Sequence, residues 1–179
     1  MAKFEKAFCI TSALEAGYTV DNGGPTYQGI SFKAWANDSI AKQISVLVTK
    51  LKPQKKEVID NAQIKSLVLQ FYKKNYWDRI KGDLVNNQQL ANLVYDFAIN
   101  SGSAVILINR AVGGREVGYI NETTLKNFNT RPGFCYEAIR AARKNLYNSL
   151  AKRNPVFIRN NTYKGWIARL NQFPEKLTA

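Results

Sequence analysis

The sequence predicts a mainly α-helical fold with one small, glycine-rich, β-like loop near its N-terminus. Three observations carry this expectation. Apolar residues recur at three- and four-residue spacing through most of the chain. One stretch, residues 17–30, breaks that pattern with Gly17, Gly23, Gly24, Pro25 and Gly29. No internal repeat, low-complexity tract or flexible linker divides the 179 residues, a length that suits one domain or a domain with a small second lobe.

The elements follow in chain order. Phe4, Ala7, Phe8, Thr11 and Leu14 make a helical stripe over residues 3–15, with Gly17 as its stop. Tyr18-Thr19-Val20 and Tyr27, set among glycines, read as a loop or small hairpin. Ser31 or Asp38-Ser39 can cap the short helices that follow. Ile40, Ile44, Leu47, Val48 and Leu51 form the next stripe, which Pro53 ends; residues 50–56 are a solvated connection. Ile64, Leu67, Val68, Phe71 and Tyr72 give another apolar face, with Tyr76-Trp77-Asp78 at its end. Leu90, Leu93, Val94, Phe97 and Ala98 fit helical spacing without exception, and Asn92, Asp96 and Asn100 share the other stripe. Ser101-Gly102 ends that helix, and a short one follows from Ala104 to Val112. Ile139, Ala142, Leu146 and Leu150 mark a long helix with Arg140, Arg143 and Lys144 on its polar side. A last helix, after Pro155, includes Trp166 and ends near Leu170. The total is about eight helices.

Composition removes whole classes of chemistry. The chain has no histidine, so Ser-His-Asp and Cys-His nucleophiles and His-ligated metallopeptidase sites are excluded. The two cysteines, Cys9 and Cys135, form no Cys-x-x-Cys pair; both sit among apolar neighbours and are expected as buried free thiols. No metal or organic cofactor is implied. Net charge is +13, and residues 131–169 hold nine Lys or Arg against one acid, Glu137. Such a surface favours a polyanion, whether nucleic acid, anionic lipid or an anionic cell wall, or simply keeps a basic protein in solution. No apolar run is long enough to span a bilayer. The N-terminus lacks the pattern of a secretory leader, so synthesis in the cytoplasm is expected.

The segment from Glu15 to Thr26 concentrates what chemistry remains. It sets two carboxylates and a hydroxyl on a glycine-rich loop at a helix end. Cleaving a glycosidic bond needs one neutral acid to protonate the leaving oxygen and one ionised carboxylate to steer water or stabilise positive charge. Glu15 falls in the last turn of the first helix, where it is either a general acid, since the dipole disfavours an ionised carboxylate there, or an ordinary surface residue. Asp21 either holds water or bonds turn amides ahead of Gly23, and Thr26 either helps hold that water or packs as a β-type residue. Gly23 and Gly24 either admit a sugar chain close to the backbone or only make the turn.

Glu15-Ala-Gly-Tyr18 followed by Asp21-x-Gly-Gly-Pro-Thr26-x-x-Gly29-Ile30 resembles the N-terminal signature of the glycoside hydrolase family 108 N-acetylmuramidases. This is a lysozyme-like group of phage and bacterial proteins, some of them called secretion activators. Residues 72–83, around Tyr76-Trp77-Asp78, look like that family's second segment. Leu93-Val-Tyr-Asp96-Phe-Ala-Ile-Asn100-Ser-Gly102 and Lys164-Gly165-Trp166-Ile-Ala-Arg169 resemble the start and end of its peptidoglycan-binding region. The resemblance implies a lysozyme-like helical fold, with a catalytic region over residues 1–85 and a peptidoglycan-binding-like region over 86–179 in one compact unit. It implies Glu15 as catalytic acid, with Asp21 and Thr26 positioning water, and peptidoglycan glycan strands as substrate.

Tyr18, Gly23, Gly24, Tyr27, Gln28, Tyr76, Trp77, Asp96 and Asn100 are then the candidate substrate contacts, with Trp166 a further stacking surface. Asp96 and Asn100 either line the cleft or form a buried helix–helix pair. The basic surface would hold a monomeric enzyme on an anionic wall, reached after holin-like or other release, and no nucleic acid is expected. A lytic transglycosylase using Glu15 alone and a non-catalytic wall-binding or secretion-accessory protein are the rival readings.

Overall fold

The computed structural model describes residues 1–12, 17–21 and 23–178. Among these the fold is mainly α-helical with a small antiparallel sheet near the N-terminus, as the periodicity predicts. The chain divides into two units, Phe8–Asn75 and Met1–Ala7 with Tyr76–Ala179. It passes from one to the other within α1 (Phe4–Ser12) and within a π-helical turn, Lys73–Trp77.

In the unit Phe8–Asn75, strands β1 (Tyr18–Asp21), β2 (Gly24–Tyr27) and β3 (Ile30–Ser31) form a meander in the order β1-β2-β3. Helices α2 (Ser39–Leu51) and α3 (Ala62–Tyr72) pack on each other. Helix α2 starts where the side chain of Asp38 accepts hydrogen bonds from the backbone N–H groups of Ile40 (3.0 Å) and Ala41 (2.9 Å). Asn61 caps α3 in the same way, accepting from Ile64 N–H at 3.0 Å. Ile44 and Val48 of α2 and Ile64, Val68 and Phe71 of α3 supply the core, with Trp35 edge-on to Phe71 at 4.9 Å.

The other unit is built on α4 (Gln88–Asn100), α5 (Ala104–Ala111), α6 (Glu122–Thr130), α7 (Pro132–Arg153), α8 (Val156–Arg159) and α9 (Thr162–Leu170). Of the predicted stripe of α4, Leu90, Leu93, Val94 and Phe97 are fully buried, and Ala98 is half-buried. Helix α6 goes beyond the sequence expectation and begins where Asn121 accepts from Thr124 N–H at 3.0 Å; the single helix expected after Pro155 is split into α8, one turn, and α9. No helix among the described residues is long and apolar enough to cross a membrane.

Cys9 corrects an expectation: it is exposed, whereas Cys135 is buried as expected. A helix turns about 100° per residue. The inward positions of α1 are Phe4, Ala7 and Thr11, which leaves Cys9 on the outward side despite its apolar sequence neighbours.

Candidate functional site

The three-stranded meander carries most of the predicted loop residues. Tyr18 pairs with Tyr27, Thr19 with Thr26, and Asp21 with Gly24; on the other side Thr26 pairs with Ser31. Side chains alternate along a strand, so this register sorts them onto two faces. Tyr18, Val20, Pro25, Tyr27 and Ile30 share one, and Tyr27 and Ile30 are buried in the core. Thr19, Asp21, Thr26 and Ser31 share the other. Asp21 and Thr26 are diagonal neighbours across the ladder, a relation that sets their backbones about 7–8 Å apart.

The chain entering this sheet is tightly held. Tyr18 N–H donates to the carbonyl of Glu57 (2.9 Å), and Lys56 N–H donates to the carbonyl of Tyr18 (2.6 Å). Only glycine fits at position 17, because a Cβ there would lie 2.2 Å from the Glu57 carbonyl oxygen. The phenol of Tyr27 accepts a hydrogen bond from Ile59 N–H at 3.0 Å, and burial pushes its pKa up although that bond pulls the other way. Tyr72 donates its hydroxyl to the carbonyl of Gln28 at 2.6 Å. Gln28 and Gly29 join β2 to β3 with φ values of 44° and 78°, the left-handed pattern of a two-residue hairpin turn. The backbone of Gln28 is thus committed to the turn, and its side chain is half-buried.

Asp21 is exposed, and one carboxylate oxygen accepts from Gly23 N–H at 2.7 Å. Thr26 and Tyr18 are half-buried. The meander therefore sets Asp21 and Thr26 on one face, with Gly23, Gly24 and Gln28 at or beside its turns, whereas Tyr18 and Tyr27 lie on the other face and Tyr27 is a core residue with no open ring for a sugar. Glu15 lies outside the described residues, as do Leu14 and Asn22. Thr19 and Ser31 put two more hydroxyls on the face of Asp21 and Thr26; the sequence offers Ser31 only as a cap, and its hydroxyl accepts from Ala34 N–H at 3.3 Å. Period-two alternation from the Asn22-Gly23 hairpin signal would have found them.

The remaining predicted contacts belong to the unit Met1–Ala7 with Tyr76–Ala179. Trp77 offers no open face to a sugar. It is fully buried, with Phe4 at 5.9 Å and Tyr95 at 5.8 Å, and its indole N–H donates to Asp83 at 2.7 Å. Tyr76 is half-buried. Trp166 stacks on Tyr147 at 5.3 Å, with Phe157 at 5.1 Å from it.

Asp96 is likewise a core residue rather than an exposed cleft group. It is fully buried and holds two arginines: Arg143 Nη2 at 2.6 Å and Arg169 Nη2 at 2.9 Å, with Arg169 Nε at 3.1 Å. Asn100 donates to the Asp96 carbonyl at 2.8 Å. Arg143 is fully buried too, donates Nε to the Tyr147 hydroxyl at 2.7 Å, and lies over the rings of Phe97, Tyr147 and Phe173. The two motif segments around Asp96 and Arg169 thus close on each other through one ion pair. Two cations of the basic segment are consumed here, while Lys144, Lys152, Arg153, Arg159 and Lys164 stay exposed. Among the described residues no group of three or more Cys, Asp or Glu side chains could hold a metal ion.

The family model described as Glycosyl hydrolase 108 matches residues 10–102, more than half of the chain. The chain belongs to glycosyl hydrolase family 108. The match takes in the whole meander, α2, α3, α4 and the π-helical turn between them. In fold, this family 108 protein is similar to the solved structure of Brucella abortus SagA, with a TM-score of 0.59 and 24% sequence identity over 95% of this chain and 94% of that chain. No curated protein matches it in sequence.

Proposed function

We propose that this family 108 protein is a peptidoglycan hydrolase, an N-acetylmuramidase that cleaves the β-1,4 bond between N-acetylmuramic acid and N-acetylglucosamine. Family membership supports a glycosidase. The single observation that carries the finer reading is the register of the meander, with the Asp21 carboxylate and the Thr26 hydroxyl on one face of one small sheet. In the sequence that face lies a few residues beyond Glu15, whose helix-end position suits a protonated acid.

In this reading Glu15 protonates the bridging oxygen, and the bond from that oxygen to the muramic acid anomeric carbon breaks. A water held by Asp21 and Thr26 adds its oxygen to that carbon from the opposite side and gives its proton to Asp21. The product has a new reducing end. Residues 1–85 carry the chemistry, and residues 86–179 hold the monomeric enzyme to the wall. Arg143 and Arg169 take no part in wall attraction, since both are tied to the buried Asp96. The protein would reach the wall after synthesis in the cytoplasm and release by another factor.

One observation favours a second reading. Asp21 already spends one oxygen on the Gly23 amide, as a purely structural turn residue would. A lytic transglycosylase using Glu15 alone needs no water-holding carboxylate. Mass spectrometry of fragments released from purified peptidoglycan separates the two, through reducing muramic acid ends against anhydro-muramic acid ends. A folded Glu15→Gln protein should release about 10²–10⁴-fold less of either. Undiminished release by that variant overturns the assignment of Glu15.

A further inference from the structure

We propose that the surface around α8 docks on anionic membrane lipid. Between Glu137 and Glu175 the sequence contains no acidic residue. Two of its cations are tied to Asp96, and Lys152, Arg153, Arg159 and Lys164 are exposed around α8. Within this basic stretch α8 has no buried residue, and it exposes Val156 by 43% and Ile158 by 57%.

Helical geometry arranges these side chains. With about 100° between successive residues, Phe157 turns inward, where it packs on Trp166 at 5.1 Å. Arg159 then falls on the opposite side, with Val156 and Ile158 to either side of it. A guanidinium flanked by aliphatic groups suits the boundary between lipid headgroups and acyl chains: the methyl groups leave water while the cation stays at phosphate level. A soluble polyanion would satisfy the cations and leave Val156 and Ile158 in water. The aliphatic pair therefore favours a bilayer over a nucleic acid or a charged polymer.

The backbone is equally suited. Val156 N–H donates to the Asn154 side chain at 3.2 Å. The N–H groups of Phe157, Ile158, Arg159 and Asn160 donate within the turn at 3.0–3.2 Å. The turn can enter an apolar interface without stranding these donors. Its position is held by the column Phe157, Trp166 and Tyr147, with ring centroids 5.1 and 5.3 Å apart, so little order has to be gained on contact.

The test is co-sedimentation of the full chain with vesicles of phosphatidylcholine and phosphatidylglycerol, against phosphatidylcholine alone. Binding should require phosphatidylglycerol and fade as salt rises. The variant Val156→Ser/Ile158→Ser, with its fold checked by circular dichroism, should lose about tenfold or more in vesicle affinity. Its retention on a heparin column should not change. Reversing Arg159 and Lys152 should weaken both. An Ile158→Trp reporter should shift its emission to the blue on adding phosphatidylglycerol vesicles. Equal vesicle affinity of the double-serine variant, an unshifted reporter, or binding to heparin or cell walls without binding to vesicles overturns the proposal.

Discussion

Replacing Asp96 by Asn distinguishes a core ion pair from a catalytic cleft residue, because the two roles predict opposite outcomes. Asp96 and Arg143 meet at 2.6 Å with both side chains fully buried. Asn keeps the shape and removes the charge. Arg143 would retain the Tyr147 hydroxyl and three aromatic rings, yet it could not reach water. Arg169 is 15% exposed and can turn toward solvent, so its share of the loss is small. Removing one partner of a buried pair costs about 3–5 kcal/mol, mostly from the stranded charge. Domains of this size are stable by about 5–15 kcal/mol. At about 2–4 °C per kcal/mol, the melting temperature should fall by roughly 6–20 °C. The assay is thermal unfolding by circular dichroism, run beside cleavage of soluble glycan fragments well below the transition. Asp96→Asn should melt early and still turn over, and adding Arg143→Met should recover at least half of the lost stability. A melting temperature within about 2 °C of the parent, together with a collapse in turnover, would refute the argument and return Asp96 to the site.

Three further outcomes are expected. Asp21→Ala should lower hydrolytic turnover about 10²–10⁴-fold with the fold intact; unchanged turnover removes its water-holding role and favours the single-acid reading. For Asp38, burial works against ionisation, but the Ala41 amide and Lys74 at 3.1 Å outweigh it and hold its pKa below the ordinary carboxylate value. The stabilisation is then complete above the unfolded value of about 3.9 and is lost as pH falls through the lower folded value. Asp38→Ala should cost about 1 kcal/mol at neutral pH, a gap in urea midpoints that shrinks at more acid pH; a gap constant with pH contradicts this. Finally, Cys9 is exposed, while burial raises the Cys135 thiol pKa against the pull of Arg131. Titration with a coloured disulfide reagent should therefore find one reactive thiol in the native protein and two after unfolding, and two rapid thiols in the native state would contradict the fold around Cys135.

Local periodicity made much of the helical architecture readable. The stripe Leu90, Leu93, Val94, Phe97 and Ala98 predicts one buried face of α4; the first four are fully buried and Ala98, near the helix end, is half-buried. The same reasoning leaves Asp96 and Asn100 either lining a cleft or pairing between helices, and burial of Asp96 against Arg143 and Arg169 decides for the second at Asp96. The helix is enclosed further round than its amphipathic pattern indicates, and Tyr95 and Asp96 are as buried as the apolar stripe. Glycine density likewise announced the hairpin. The close approach of Glu57 that makes Gly17 obligatory came from a segment read only as lying beyond a solvated connection. Helix α6 is harder to read because its nine residues are mostly polar, with Leu125 and Phe128 as the large apolar side chains, although Asn121 is a cap signal.

Residue types and their short-range spacing are enough to set the chemistry at issue. A histidine-free chain with Glu15, Asp21 and Thr26 in one glycine-rich segment points to carboxylate chemistry, and helical and strand periods place its elements. Pairing between distant residues is another matter. Asp96 meets Arg143 and Arg169 across sequence separations of 47 and 73 residues. A charge run looks the same in sequence whether its members face solvent or neutralise a buried carboxylate. Only the packing of α4, α7 and α9 distinguishes the cations spent inside from those left on the surface. Burial makes that distinction decisive, since an ion removed from water must find its counter-charge within the fold.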